Sequence, residues 1–418
     1  MIGAVLAAAL LMQPGSPVQG STLENGERLA PAAQVLSDPA RERPFHILIL
    51  GDSHHAADHI SGAFRARLQA EHGSAGRGVL PAGLPYDGFT VRQASLAFSG
   101  VRAVSRRDGD QSAGLSGFVG VTQPGARIDI STEPEAAFDR LTVCYLAEPG
   151  AGVLEVSAGG EIRQVFAEAG IAEPRCEQLD LTSRTTFASV AARDRPVRIF
   201  SWAATTRTGG GVTVSNLGVI GETVRSLLSR DGRVLRAEMQ AYRPDLILLA
   251  FGTNEGFERD FDEAEYAGSY LEALNLLRAV APGAAILAMG PPDAAMTRPD
   301  LYYDGVDQPI DYCFSLTPDE LATYDALVAA RDPGLERWYA PPALARVREI
   351  QRRVSNEAGV AFWNWEARMG GPCSVDRWFR EEPPAARGDH VHFNRLGGDR
   401  IGGWLAEDLL AALSGGAD

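Results

Sequence analysis

A serine follows a short apolar run near the start of the chain. Residues 46–50 (HILIL) lead directly into Gly51, Asp52 and Ser53, and a continuous apolar run of this length is typical of a strand buried on both faces. A helical pattern follows, so Ser53 is expected at the carboxyl end of a sheet and at a helix N-terminus, where N–H groups favour a developing negative charge. We interpret Ser53 as a candidate nucleophile; the alternative is that it only caps the helix.

A nucleophilic serine needs a base, and the sequence offers one just before its last helical pattern. Residues 389–392 read DHVH. An aspartate three residues ahead of a histidine in one loop can accept the ring N–H and fix the tautomer. His392 would then take the proton of Ser53, and Asp389 would orient His392. The alternative is a solvated polar loop that caps the final helix.

Two further segments supply hydrogen-bond donors. Gly221 lies in residues 218–223 (GVIGET), and Asn254 lies in residues 251–255 (FGTNE), after another apolar run. The N–H groups of Ser53 and Gly221, with the Asn254 amide, are the three donors that an oxyanion hole for acyl transfer requires. The alternatives are structural: Gly221 could permit an unusual backbone angle, and Asn254 could stabilise a turn.

In this order the segments resemble the conserved blocks of the SGNH, or GDSL-type, hydrolases. The matching residues are Gly51-Asp52-Ser53 for the first block, Gly221 for the second, Gly252-Thr253-Asn254 for the third and Asp389-x-x-His392 for the fifth. The resemblance implies that the catalytic residues are Ser53, Asp389 and His392, with an oxyanion hole of Ser53, Gly221 and Asn254. The chain departs from the pattern at His54, where many members have Leu, and at Glu255, where Asp is usual.

Other features look like the peptidoglycan O-acetylesterase branch of that family. They are His54 with Asp58, a β-rich insertion, and residues 76–81 (GRGVLP) and 369–371 (MGG). This resemblance implies a serine esterase that removes O-acetyl groups from a cell-wall polysaccharide, with O-acetylated peptidoglycan favoured. Two alternatives stay open: a polysaccharide O-acetyltransferase with the same machinery, and a carbohydrate-binding protein with an inactive site.

The elements around these residues predict an α/β protein. Buried-strand patterns recur at residues 245–251, 284–289 and 360–363, and helical patterns occupy residues 56–71, 264–281, 343–358 and 396–413. Strands that alternate with helices indicate a parallel sheet covered on both sides. The family resemblance implies the three-layer α/β/α, flavodoxin-like form of this fold.

One stretch breaks the alternation. Residues 85–213 contain short alternating segments and no convincing helix, which predicts an inserted β-sandwich. A carbohydrate-binding-module-like role for it rests on analogy alone. We divide the hydrolase domain into residues 21–84 and 214–418. Within the latter, residues 291–342 are rich in Pro, Asp and Tyr and are expected to form a lid or specificity loop.

Composition narrows the possible partners. The 418 residues are 45% hydrophobic, as in a folded protein, and 39 basic against 54 acidic residues give a net charge of −15, which disfavours nucleic acid as a partner. An apolar run at residues 2–12, followed by Pro and Gly, predicts a signal peptide over residues 1–20. We expect a periplasmic or extracellular protein, peripheral to the wall or membrane at most, of undetermined oligomeric state.

The four cysteines contain no C-x-x-C pair, which argues against a zinc ribbon or a thioredoxin-like motif. Three pairings are open; we favour Cys144 with Cys176 and Cys313 with Cys373, because each pair then stays within one predicted domain. Four buried thiols are the alternative.

A metal site is the other possibility that the sequence raises. His55 and His59, four apart, could bind a metal from one helical face. The surrounding motifs only approximate those of a metallophosphoesterase, so we expect neither a metal nor a cofactor.

Overall fold

The computed structural model describes residues 22–110, 112–303 and 312–415. The predicted signal peptide, residues 1–20, lies outside these ranges. The described strands are β1 (Leu23–Glu24), β2 (Phe45–Gly51), β3 (Gly76–Pro81), β4 (Ala94–Ser105), β5 (Phe118–Thr132), β6 (Phe138–Ala147), β7 (Val153–Ala158), β8 (Glu161–Phe166), β9 (Glu173–Thr185), β10 (Phe187–Ala192), β11 (Arg198–Thr205), β12 (Val212–Gly218), β13 (Leu246–Ala250), β14 (Ala285–Met289) and β15 (Ala361–Trp363).

The described α-helices are α1 (Ala30–Ser37), α2 (Ser53–Ala56), α3 (His59–His72), α4 (Val224–Leu228), α5 (Gly232–Tyr242), α6 (Thr253–Gly256), α7 (Glu263–Val280), α8 (Pro299–Tyr303), α9 (Pro318–Ala322), α10 (Tyr324–Ala329), α11 (Leu344–Glu357), α12 (Trp365–Met369), α13 (Ser374–Phe379) and α14 (Arg395–Gly415). Within the described ranges, no helix combines the length and the apolar character needed to cross a membrane.

Six strands form the first sheet, in the order β1-β15-β14-β13-β2-β12. All neighbours run parallel except β1, which lies antiparallel to β15 at one edge. Strand β2 lies between β12 and β13, and Gly51 at its end pairs with Gly218 and with Ala250. The loops that follow these three strands therefore leave the same edge of the sheet.

The strand β2 shows why this sheet is covered on both faces. Ile47 and Ile49 pack into a core with α3 and α14, whereas Leu48 and Leu50 pack into a second core with α5, α7 and α11. Successive side chains point to opposite faces of a strand, so a continuous apolar run serves both cores. The predicted three-layer α/β/α fold is confirmed.

A second sheet of nine strands forms the insertion, with the path β8-β7-β10-β5-β11-β6-β9 and with β3 and β4 paired to β11 and β5. Its pairs are antiparallel, and it has a core of its own. The inserted β-domain is thus confirmed. Its first strand, β3, precedes residue 85, so the limits 85–213 stay a prediction. Trp202 is buried in this core and donates to the Pro81 carbonyl, so it offers no stacking face to a sugar.

The helix predicted over residues 56–71 is present as α3, but it begins at His59 rather than at Ala56. A break at Asp58, whose φ of 51° lies in the left-handed region, separates α3 from the short helix α2 before it. The buried Asp58 carboxylate binds the guanidinium groups of Arg65 and Arg77 at 2.6 and 2.9 Å. These charge-assisted contacts hold a backbone angle that an uninterrupted helix would not allow.

Both favoured disulfides, Cys144–Cys176 and Cys313–Cys373, are present. The first joins the neighbouring strands β6 and β9 of the insertion. The second joins the segment between β14 and α11 to the start of α13. That segment, predicted as a lid or specificity loop, holds the short helices α8, α9 and α10 in its described part.

Candidate active site

Ser53 is the first residue of α2, directly after β2. Asp52 caps the helix by accepting the His54 N–H at 3.0 Å, and its own N–H donates to the Ala250 carbonyl at 3.2 Å. These bonds fix the turn to the neighbouring strand. Ser53 itself is partly exposed, so its hydroxyl is accessible at the end of the sheet.

The base predicted from the far end of the chain lies beside this serine. Ser53 Oγ is 2.8 Å from His392 Nε2, and His392 Nδ1 is 2.8 Å from Asp389 Oδ2. The second Asp389 oxygen accepts the N–H groups of Val391 and His392 at 3.0 and 2.9 Å. The three side chains form a continuous hydrogen-bonded chain in which His392 can accept a proton from the serine.

The environment of Asp389 keeps its carboxyl ionised. Partial burial alone would raise its pKa, but the hydrogen bonds from the His392 ring and from two backbone N–H groups hold the pKa well below its usual range. An ionised Asp389 accepts the Nδ1 proton of His392 and so directs Nε2 toward Ser53.

His54 connects the serine turn to the base loop. Its Nδ1 lies 3.0 Å from Asp52 Oδ1, and its Nε2 lies 3.0 Å from the Val391 carbonyl. Burial opposes a charge on His54, but the carboxylate of Asp52 and the hydrogen bonds raise its pKa above the ordinary value. Both ring nitrogens face oxygen acceptors, which is the arrangement of a doubly protonated imidazolium.

The two predicted oxyanion loops are bonded to each other. Asn254 Nδ2 donates to the Glu222 carbonyl at 2.7 Å, immediately after Gly221. Val219 donates to the Gly51 carbonyl at 3.0 Å, which ties the same loop to the end of β2. Gly221 has a φ of 70°, the left-handed backbone angle that glycine adopts most easily.

Glu255, which stands where the family usually has Asp, contacts the segment that follows Gly221 of the second block. The residue is buried; Oε1 accepts the Val224 N–H at 2.8 Å, at the start of α4. Burial raises the pKa of Glu255 to about 7. The Glu255 carboxyl thus joins the third-block loop to the helix that follows Gly221.

Sequence reasoning missed two neighbours of the site. Arg107, from the inserted domain, donates to the Gly221 carbonyl at 2.9 Å, and no local pattern around Arg107 signals this contact. His390 stacks on Trp338 with ring centroids 3.8 Å apart, and its Nε2 lies 3.1 Å from Asp376 Oδ1.

The metal hypothesis for His55 and His59 assumed one helical face. The two residues belong to different helices, α2 and α3, on either side of the break at Asp58. His55 is fully buried, and burial lowers its pKa to about 4. Among the described residues, no cluster of three or more His, Cys, Asp or Glu side chains has the arrangement of a metal site.

Comparison with known proteins agrees with the fold. Residues 188–400 match the GDSL-like lipase/acylhydrolase family. The chain belongs to this family and is an esterase by class. No curated protein matches the chain significantly.

A solved peptidoglycan O-acetylesterase has a similar fold, with a TM-score of 0.73 and 23% identity over 94% of this chain and 99% of that one. A salicylyl-acyltransferase from a tetracycline biosynthetic pathway matches at 0.31 and 12% identity, covering 80% and 96%. A family 2 carbohydrate esterase with a carbohydrate-binding domain, from Corynascus thermopiles, matches at 0.29 and 12% identity, covering 77% and 100%.

Proposed function

We propose that this protein is a serine acetylesterase that removes O-acetyl groups from a cell-wall polysaccharide, with O-acetylated peptidoglycan as the substrate. The observation that carries the proposal is the alignment of Ser53, His392 and Asp389, with two successive contacts of 2.8 Å. A nucleophile and its base within hydrogen-bond reach, the base oriented by a carboxylate, is the arrangement required for acyl transfer to serine.

In the first half-reaction Ser53 Oγ attacks the ester carbonyl carbon and its proton passes to His392 Nε2. The N–H groups of Ser53 and Gly221 and the Asn254 amide donate to the oxyanion of the tetrahedral intermediate. The bond from the carbonyl carbon to the sugar oxygen then breaks, and His392 protonates that oxygen. The acetyl group remains on Ser53, and a deacetylated sugar hydroxyl leaves.

In the second half-reaction water attacks the acetyl carbonyl, and His392 accepts a proton from this water. The bond to Ser53 Oγ breaks, the serine recovers its proton from His392, and acetate leaves. No cofactor or metal takes part in either step. Water as the final acceptor distinguishes this esterase from an acetyltransferase, in which a second sugar hydroxyl would attack.

Two observations support the substrate and compartment. The solved peptidoglycan O-acetylesterase has the same fold over nearly the whole of both chains, insertion included. The two disulfides favour an oxidising compartment outside the cytoplasm, because cytosolic thiols are kept reduced. A periplasmic or extracellular location would place the enzyme at the cell wall.

The proposal is tested by acetate release from purified O-acetylated peptidoglycan, with and without a chelator. We expect release that survives the chelator and is lost in Ser53→Ala. Ser99→Ala, an exposed serine on β4, is the matched control and should retain full activity. Release by Ser53→Ala at the wild-type rate would refute the serine mechanism, and release from small acetyl esters alone would refute the peptidoglycan assignment.

A further inference from the structure

A cavity of about 320 Å³ lies between the inserted domain and the hydrolase domain, beside the proposed oxyanion hole. We call it the arginine pocket, because its lining includes Arg106, Arg107 and Arg230. It also includes Glu222, the residue that follows Gly221 in the chain. A group bound in this cavity would therefore lie next to an ester bound at Ser53.

The pocket carries an excess of positive charge. Its two acidic residues are already paired: Asp110 with Arg198 at 2.5 Å, and Glu222 with Arg230 at 2.6 Å. Within the described ranges, Arg106 and Arg107 have no carboxylate within 4.0 Å. Two uncompensated guanidinium groups face this cavity on a chain whose net charge is −15.

A buried donor in the wall also lacks an acceptor. Arg230 is 8% exposed. Its Nη1 donates to the Leu115 carbonyl and its Nη2 to Glu222, but its Nε has no hydrogen-bond partner among the described residues. Buried polar groups normally find partners, so Arg230 is a wall residue whose donors the described residues do not fully satisfy.

Resting on the function proposed above, we propose that the arginine pocket binds a carboxylate carried by the same glycan as the acetyl ester. A guanidinium group binds a planar carboxylate through two parallel hydrogen bonds, which suits this cluster to a carboxylate rather than to a neutral sugar hydroxyl. The pocket then selects acidic acetylated polymers and places their ester at Ser53. The carboxylate comes either from a peptide attached to the glycan or from a uronic acid.

The proposal predicts a loss of selectivity when Arg106 loses its charge. We measure kcat/KM for O-acetylated peptidoglycan divided by kcat/KM for 4-nitrophenyl acetate. Arg106→Gln should lower this ratio about tenfold, the effect of one charged hydrogen bond. Arg106→Lys should retain part of the ratio. Arg102→Gln, an exposed arginine on β4 outside the pocket, makes the same charge change and should leave the ratio unaltered.

The substrate is varied in a second arm. Amidation of the peptidoglycan carboxylates should lower the wild-type ratio by a similar factor and remove the difference between the wild type and Arg106→Gln. Acetylated polygalacturonate and acetylated xylan test the uronic acid source in the same way. The proposal is overturned if Arg106→Gln behaves like Arg102→Gln on every acidic polymer, or if its defect persists on amidated or neutral ones.

Failure of the proposed function gives a different result. If the wild type cleaves 4-nitrophenyl acetate but no acetylated peptidoglycan, the substrate assignment fails. The acetylated polygalacturonate and xylan then test whether the arginine pocket binds a carboxylate. If no ester is cleaved at all, the binding of oligogalacturonate is measured by calorimetry for Ser53→Ala and for Ser53→Ala combined with Arg106→Gln. Weaker binding by the double variant supports the proposed carboxylate site. Affinity that is equal for both variants, or no binding to either, contradicts it.

Discussion

The Nε2 atom of His54 lies 3.0 Å from the carbonyl oxygen of Val391, so the residue after the nucleophile is bonded to the residue before the base. On the other side of the ring, Nδ1 lies 3.0 Å from Asp52. One buried histidine thereby joins two segments that are 337 positions apart in the chain. The distance between Ser53 and His392 depends on this link.

We predict that His54→Gln lowers kcat by about 10- to 100-fold, with a smaller change in KM. A glutamine cannot reach both acceptors, and small displacements of a base are costly to catalysis. We also expect the free energy of unfolding to fall by about 3 kcal/mol, because Asp52 loses its charged partner. His72→Gln, at the partly exposed end of α3, is the control. Equal kcat in His54→Gln and wild type would exclude a positioning role.

The His54–Asp52 pair also predicts a pH dependence of stability. The raised pKa of His54 stabilises the folded state below the ordinary histidine value of 6.5, and this stabilisation is lost as pH rises through the folded pKa. Burial opposes the charge of Asp52, but His54 lowers its pKa, so its contribution is present above 3.8 and is lost as pH falls. The stability difference between wild type and His54→Gln in urea should therefore be largest between these values. A difference independent of pH would contradict the ion pair.

Asp389→Asn should lower kcat by about 10³- to 10⁴-fold. An asparagine presents its amide to Nδ1 or stabilises the wrong tautomer of His392, so Nε2 no longer accepts the Ser53 proton. KM for a small acetyl ester should change little, because Asp389 contacts His392 and not the substrate. Steady-state kinetics with 4-nitrophenyl acetate measures both constants. A higher KM with an unchanged kcat would indicate that Asp389 shapes the binding site instead.

Glu238→Gln should stabilise the protein at alkaline pH. Glu238 lies on α5 and contacts Ser201 of the insertion, and its Oε2 accepts the Leu115 N–H at 2.6 Å. Burial raises its pKa from 4.5 to about 7. An acid with a raised folded pKa destabilises the fold as pH rises between these values, by up to about 3 kcal/mol.

Glutamine carries no charge; its oxygen can accept the Leu115 N–H, and its amide nitrogen can donate to Ser201 Oγ. The variant should therefore match the wild type at pH 5 and exceed its stability at pH 8, as measured by urea unfolding. Glu272→Gln, an exposed position on α7, should follow the wild type at both pH values. A Glu238→Gln variant that is less stable at pH 8 would show that the carboxylate is retained as a charge.

The two disulfides should differ in their effect on activity. Their cysteines are 32 and 60 positions apart, and loss of either is expected to cost about 4 kcal/mol through the entropy of the unfolded chain. The backbone of Cys313 forms an isolated β-bridge with that of Trp338, and the Trp338 ring stacks on His390. Replacement of Cys313 and Cys373 by Ser should thus lower kcat as well as the Tm, whereas the same change at Cys144 and Cys176 should lower the Tm alone. Equal kcat in the two double variants would contradict this distinction.

Much of the catalytic sheet could be predicted because each strand carries its own signal. Residues 47–50 (ILIL), for example, are apolar at every position, and only a strand covered on both faces buries them all. Ser53 and His392 could be paired because both segments lie next to helices and resemble blocks of one family. The break at Asp58 could not be predicted, since it depends on Arg65 and Arg77 closing around a carboxylate.

Contacts between domains carry no local signal. Arg107 reaches Gly221 across 114 positions of sequence, and β3 leaves the region expected for the hydrolase domain to pair with β11. Neither contact changes the period or composition of the segments involved. These contacts are determined by tertiary pairing alone. For the same reason the arginine pocket could not be predicted from the sequence.

Ser53 should act as a nucleophile that His392 activates. The most direct measurement is labelling with a fluorophosphonate, followed by peptide mapping of the wild type, Ser53→Ala and His392→Ala. We predict a single label on Ser53 in the wild type, none in Ser53→Ala, and labelling slowed by at least about 10³-fold in His392→Ala. A label on another residue, or labelling of Ser53 at the wild-type rate in His392→Ala, would contradict the assignment of Ser53 and His392 as nucleophile and base.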